Sequence, residues 1–324
     1  MGKYVLKRIG LLIFTFFVIF TICFFLVRAL PVPIISAPGS DGQAIAERFR
    51  EEMGYNDPII IQYFNYFVRL FTAKDGGNFG YSFQIAWLES PWELLVSRFP
   101  PTVLINVYTM IFAVPVGLGL GILMALRKNK IDDHILSVVI MLVISVPSFV
   151  YAFLVQYLFG SVWKVLPLTL APVSLYDGNW FHPEMFKSMI PAIISMSFGT
   201  IAGFARYTRA ELTEVLTNDY MLLARTKGLT KGQATIRHAL RNAMVPIFPS
   251  IIGEFIGVLS GSLIIEKIFA IPGIGGLYLT AISSQDYDSF MFLSGFYILV
   301  GLVASIVIDL SYGIIDPRIR MGAK

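Results

Sequence analysis

The sequence is poor in cysteine, histidine and charge. It has one cysteine (Cys23) and three histidines, and Asp, Glu, Lys and Arg together make up 14% of its 324 residues. Soluble domains carry about a quarter charged residues, so a soluble globular fold is excluded. One cysteine cannot form an internal disulfide or a thiolate-rich metal or redox centre. His134, His182 and His238 are scattered without ligand spacing, so no metal site is expected. The H-E-x-x-H and G-x-S-x-G patterns of metal and serine hydrolases are missing, and no catalytic residue is expected. "GLTKGQAT", Gly228 to Thr235, looks like a phosphate-binding loop but fails as one: its glycines are too close, and Gln233 stands where lysine is needed. The chain is therefore expected to carry no cofactor of its own. Internal repeats, heptads and low-complexity tracts are also absent.

What is present is hydrocarbon. Hydrophobic residues make up 56% of the chain, and mean hydropathy is +0.71. Six stretches approach the roughly 20 apolar residues needed to span a bilayer. They run from Ile9 to Val27, Thr102 to Leu126 (with Pro115), Ile135 to Phe159, Ser188 to Ala205, Pro246 to Ile265 (with Glu254) and Ser289 to Ile314 (with Asp309). The first follows Lys3, Lys7 and Arg8, but it is too long for a signal-peptide core and "RALPVP" is no cleavage site, so it reads as a retained helix. Pro115, Pro147 and Pro191 are expected to kink their helices. Gly117, Gly119 and Gly121 are expected to allow close helix packing.

The net charge of +4 reflects loop lysines and arginines rather than a nucleic-acid surface. Lys3, Lys7 and Arg8, then Arg127, Lys128 and Lys130, fall on one side. So do Arg206, Arg209, Arg225, Lys227, Lys231, Arg237 and Arg241, and finally Arg318, Arg320 and Lys324. That is 16 of 25 basic residues. The positive-inside bias makes this side cytoplasmic, with both termini on it. The opposite side carries one large segment, residues 31–101, with a helix-like part ("GQAIAERFREEMG"), an aromatic part ("IIIQYFNYFVRLFTAKDGGNFGYSF") and a turn at "DGGNFG".

The cytoplasmic segment 206–246 has its own pattern. Asp219 suits a helix start. Tyr220 to Lys227 suits a helix body, and Gly228 follows a cation as at a helix end. Thr230 and Gln233 form a capping-box pattern that starts a second helix, expected to run to about Asn242 before Pro246. Tyr220, Leu223, Ala224 and Lys227 share one helix face, and an apolar face of this kind needs a partner. Arg206 and Arg209 are within reach of Glu211 and Glu214. Intramembrane carboxylates are costly. Glu254 is thus a candidate for a translocation path, with a hydrogen-bonded structural role as the alternative; Asp309 reads as structural.

The stretch "EVLTNDYMLLARTKGLTKGQATIRHALRNAMVP", Glu214 to Pro246, resembles the "EAA" loop of permease subunits of ATP-driven ABC importers. The peptide/nickel branch favours "EVLxxDYVRTARAKGL…RHALRNAxxP". "SRFPPT", "PVGLGLGILMALRKNKIDD", "SVPSF", "IIEKIFAIPGIGGL" and "DPRIR" occur in the same order as in that branch, and the resemblance covers nearly the whole chain. The older pattern places Glu-Ala-Ala where this chain has Leu222, Leu223 and Ala224; the peptide branch commonly lacks that acid.

The resemblance implies an all-α integral membrane protein of the type I importer permease kind, resembling the B-type subunit of oligopeptide and dipeptide permeases. It implies a single permease domain over 1–324, six membrane helices and an extracytoplasmic segment between the first two, in a bacterial or archaeal cytoplasmic membrane. It implies a loop that docks on an ATPase, with Ala224, Lys227, Gly228 and Leu229 at its core and Tyr220, Leu223 and Thr226 at its flanks. The implied partners are a second, homologous permease, two ATPases, an external solute-binding protein and membrane lipid. Peptide is the expected cargo; nickel or another small solute, or a self-contained secondary transporter, remain alternatives.

Overall fold

The computed structural model describes residues 2–30, 44, 47–48, 51–52, 54–72 and 79–315. The first four residues of the expected turn at "DGGNFG", most of "GQAIAERFREEMG" and the C-terminal "DPRIR" lie outside them. The described residues are helical apart from loops and one isolated bridge, Ser82 to Glu89. Among the described residues, five helices are long and apolar enough to cross a bilayer, or six when one bent pair counts as a single span. Inter-residue contacts divide the chain into two compact units.

Unit one comprises Met1–Thr102, Ser260–Leu263 and Pro272–Val303. It contains α1 (Gly2–Arg28), α2 (Ile59–Thr72), the first turns of α3 (Pro91–Leu126), α11 (Ile274–Ser283) and the first half of α12 (Tyr287–Ile315). Helix α2 is the aromatic part of the segment between the first two spans. Tyr66 and Tyr63 of α2 pack edge-on and tilted against Phe20 and Phe24 of α1, inside the first span. Its other face leaves Ile60, Phe64, Val68 and Phe71 exposed. An apolar stripe lying beside a membrane helix belongs against lipid more than water, so α2 flanks the first span.

Two carboxylates organise the rest of unit one. Asp286 Oδ2 accepts from Ser82 Oγ at 2.6 Å and from the backbone amides of Phe83 and Gln84 at 3.1 and 3.0 Å. Asp288, fully buried, pairs with Arg69 at 3.1 Å and lies 3.9 Å from Arg28. The Arg28 guanidinium stacks over Phe24, Tyr55 and Tyr287. A buried carboxylate with fewer partners would be costly. Burial, with Asp288 nearby, pushes the Tyr55 phenol far above its ordinary pKa, so it stays a neutral donor. Gly80, at φ +81, presses so closely on Asp288 that a Cβ there would lie 1.9 Å from its Oδ2.

Unit two comprises Val103–Leu259, Ile264–Ile271 and Ala304–Lys324. Its elements are the rest of α3, α4 (Ile131–Ser145), α5 (Ser148–Val155), α6 (Pro183–Leu216), α7 (Asp219–Thr226), α8 (Lys231–Ala234), α9 (Leu240–Gly257), α10 (Leu263–Ile268) and the end of α12. The third span is the bent pair: α4, then α5 continued by a π-helical stretch, Gln156–Val162, turning by 96° at Val146–Pro147. Pro147 is the N-cap of α5, where its missing N–H costs nothing. Pro191 sits inside a continuous α6, and α3 runs through Pro115. Two of the three α3 glycines meet α6 closely. A Cβ on Gly117 would lie 2.8 Å from Phe204 Cβ, and one on Gly121 2.6 Å from the Ala205 carbonyl; Gly119 faces open space. That is small-xxx-small packing.

Candidate functional site

The candidate site is the turn between α7 and α8. Helix α7 ends in a Schellman arrangement: the Gly228 amide donates to the Arg225 carbonyl at 3.0 Å, and the Leu229 amide to the Ala224 carbonyl at 3.3 Å. Gly228 has φ +91 and nothing within 4 Å of where a Cβ would stand. Backbone geometry alone therefore requires glycine, since this region is strained for residues with a Cβ. Thr230 then caps α8. Its Oγ1 accepts from the Gln233 amide at 3.3 Å, and Gln233 Oε1 accepts from the Thr230 amide at 3.1 Å. Helix, glycine turn and capping box stand as the sequence suggests.

The second helix differs from the expected one. It does not stop near Asn242. Residues Lys231–Ser260 form one span-length helical run, passing through a π turn at Thr235–Ala239 and through Pro246 and Pro249. Each proline removes one backbone donor, but Ala239, Ala243 and Ile247 are buried against neighbouring helices, and packing outweighs the lost bonds. The loop is thus joined directly to a membrane helix. At its other end α6 stops at Leu216, two residues before α7.

Helix α7 presents three faces. Met221 and Ala224 point inward and join Ala125, Leu212, Ala234, Ala239 and Ala243 in one cluster, with Leu229 half-buried against it. Ala224 and Leu229, read from the sequence as docking residues, are here the hydrophobic pair of the Schellman motif, and Ala224 is only 6% exposed. Tyr220, Leu223, Thr226, Lys227 and Gly228 point outward and are exposed. Leu222 and Arg225 form the third face. Leu222, 64% exposed, and Ile236, 70% exposed, are further apolar residues uncovered near the turn that the sequence reading does not single out. Ile236 stood out as the one large β-branched residue in a basic stretch. Leu222 carried no signal, because five apolar or small residues in a row, Tyr220 to Ala224, fit any helix face.

Ion pairs brace the helices around this turn. Arg209 does not pair with Glu211 or Glu214. Its guanidinium is bidentate on Asp133 of α4, at 2.5 and 2.7 Å, and the Asn129 amide also donates to Asp133 at 3.0 Å. The carboxylate is fully buried, so this planar fork is among the stronger pairings available. Arg127 pairs with Asp132 beside it.

Glu254 lies elsewhere, in α9. Its Oε1 accepts from Thr200 Oγ1 of α6 at 3.2 Å. It is exposed at the surface of the chain, next to exposed Phe255. It is not brought together with the loop residues. Asp309 is half-buried in α12.

Comparison with known proteins gives concordant matches. The family described as binding-protein-dependent transport system inner membrane component matches residues 117–321, and the N-terminal region described for such membrane components matches residues 1–106. The dipeptide transport system permease protein DppB of Lactococcus lactis subsp. cremoris is 35% identical over 321 residues, covering 99% of this chain and all of that protein. DppB of Bacillus subtilis is 31% identical over the full length of both chains. The oligopeptide transport system permease protein OppB of Escherichia coli K12 is 32% identical, covering 99% of this chain and all of that protein.

Proposed function

Because this chain belongs to the family of binding-protein-dependent transport system inner membrane components, we propose that it forms half of the translocation pathway of an ATP-driven peptide importer. The full-length relatives named for dipeptide and oligopeptide transport support the cargo. The second half is a homologous permease. Two ABC ATPases and an external solute-binding protein complete the assembly. This chain hydrolyses no ATP and needs no cofactor for its part.

The observation that carries the mechanism is the outward face of α7 and its glycine turn. Tyr220, Leu223, Thr226 and Lys227 are exposed beside an uncovered Gly228, and such a surface fits a groove on an ATPase. Ala224 and Leu229 hold the turn from behind, through the cluster they share with Ala125 and Leu212. Through α9 the turn is continuous with the helix that bears Glu254. Motion of the docked turn is thus delivered to a membrane helix without an intervening flexible loop. ATP-driven closure of the ATPases shifts the bundle only as far as the two ATPase states bind the two bundle states differently. Both termini lie in the cytoplasm with this turn. Glu254, with Thr200 as its donor, lines the path.

The test is a gentle-detergent purification of tagged protein from its native cell, with mass spectrometry of what accompanies it. Two P-loop ATPases, a second permease and a secreted binding protein are expected, and the cargo on the binding protein names the substrate. A chain recovered alone, with transport indifferent to ATP depletion, overturns the importer. A binding protein loaded with nickel or another solute overturns only the peptide.

A further inference from the structure

The third face of α7 borders a cavity of about 500 Å³. Four cations line it: Lys128 and Lys130 after α3, Arg225 of α7 and Lys231 of α8. The one carboxylate on its wall is Asp219. Among the described residues, none of the four cations makes an ion pair. Two further acids, Asp132 and Asp133, are already engaged by Arg127 and Arg209.

Its place among helix ends makes this more than a basic patch. The cavity wall includes Leu126 and Leu216, the last residues of two spans, and Lys231, the first of another. Three span-length helices therefore end at its rim, on the side that the positive-inside bias makes cytoplasmic. Its back is apolar, with Ala125 and Met221 both buried. A topology signal alone needs only cations somewhere in the loop. Four of them sharing one cavity with a single carboxylate leave an excess of positive charge that attracts an anion.

We infer that this cavity holds the phosphate headgroup of an anionic phospholipid, gripped by Lys128, Lys130, Arg225 and Lys231. Basic pockets among helix ends at a cytoplasmic face take such headgroups. The lipid would sit behind the coupling turn, on a face separate from the outward one carrying Tyr220 and Leu223. The inference rests on the membrane spans and goes beyond the importer assignment.

The experiment uses the full chain, purified with whatever subunits accompany it, and native mass spectrometry to count retained lipid. The probes are phosphatidylglycerol, phosphatidylcholine and inorganic phosphate. Wild type is expected to retain one phosphatidylglycerol per chain in preference to phosphatidylcholine. The variant Lys128→Gln/Lys130→Gln/Lys231→Gln is expected to bind it about a hundredfold more weakly. Lys128→Arg/Lys130→Arg/Lys231→Arg is expected to keep it. Should the glutamine variant fail to accumulate, the wild-type preference between the two lipids decides. Equal retention by wild type and the glutamine variant, or of both lipids by wild type, overturns the site. Displacement of the lipid by millimolar inorganic phosphate would make it a free-phosphate site and overturn the lipid. A glutamine variant that keeps its lipid but loses its ATPase subunits would assign the cations to a protein contact, and likewise overturns the inference.

Discussion

At Gly228 one missing carbon decides whether a turn can form. The space where a Cβ would stand is open, so a substitution there strains only the backbone, by about 1–2 kcal/mol. That is small against the stability of a folded protein. Under the docking reading, Gly228→Val is therefore expected to reach the membrane in normal amounts while ATP-driven uptake falls at least tenfold, because its bulky side chain stands on the face that meets the ATPase. Uptake into cells, with immunoblotting of membranes, checks both halves; unchanged uptake removes the docking assignment. Gly80 is the opposite case. It has positive φ too, but a Cβ there would collide with buried Asp288, so strain and lost ion pairing add. Gly80→Ala is expected to cost about 3 kcal/mol and to lower the melting temperature in detergent by several degrees. A melting temperature within a degree of wild type would show that Asp288 can move aside without loss. The sequence offers the same letter at both positions. Only the neighbours, more than 200 residues apart for Gly80 and Asp288, distinguish them.

Elements were legible where their causes are local. The capping box of Thr230 and Gln233 spans four residues and the Schellman turn six, Ala224 to Leu229; both could be read directly. Pro147 marked the bend of the third span because proline removes a donor wherever it falls. Less local causes hid the rest. The run from Lys231 to Ser260 continues through Pro246 because Ala243 and Ile247 are buried by distant partners, and no sequence window contains those. The π turn at Thr235–Ala239 likewise leaves no compositional mark. Arg209 reaches Asp133, 76 residues away, rather than the acids two and five residues along its own helix. Such pairings depend on how α4 and α6 lie together. Because the cap is local, its effect can be isolated. Thr230→Ala removes the hydroxyl that accepts from the Gln233 amide, while the backbone amide at 230 can still donate to Gln233 Oε1; the loss is expected to cost about 1 kcal/mol at the start of α8. Hydrogen exchange should speed at Gln233 by roughly fivefold, while Thr230→Ser restores protection. Uptake should fall less than in Gly228→Val, since the turn keeps its shape. A loss of uptake equal to that of Gly228→Val would mean that α8 itself meets the ATPase.

For the whole molecule, the exposed apolar surface is the main constraint. Phe14, Phe71, Met141 and Ile236 each leave more than half of their surface uncovered, which a protein in water does not sustain. Lipid covers most of this area, but it cannot cover Glu254. A carboxylate at that position in a span faces a water-filled path or a polar partner, since hydrocarbon would impose several kcal/mol. Thr200 supplies one hydrogen bond, and the remaining lone pairs face outward. If Glu254 lines a peptide path, its charge acts on the passing cargo, while its bond from Thr200 depends only on the carbonyl-type oxygen. Glu254→Gln keeps that oxygen and removes the charge. Under the path reading the variant is expected to insert and assemble normally, and the uptake ratio of cationic to anionic peptides should drop severalfold. Competition uptake with lysine-containing and glutamate-containing peptides of equal length measures that ratio. An unchanged ratio with slower transport of both would place Glu254 against the second permease, where its loss weakens assembly without touching the cargo.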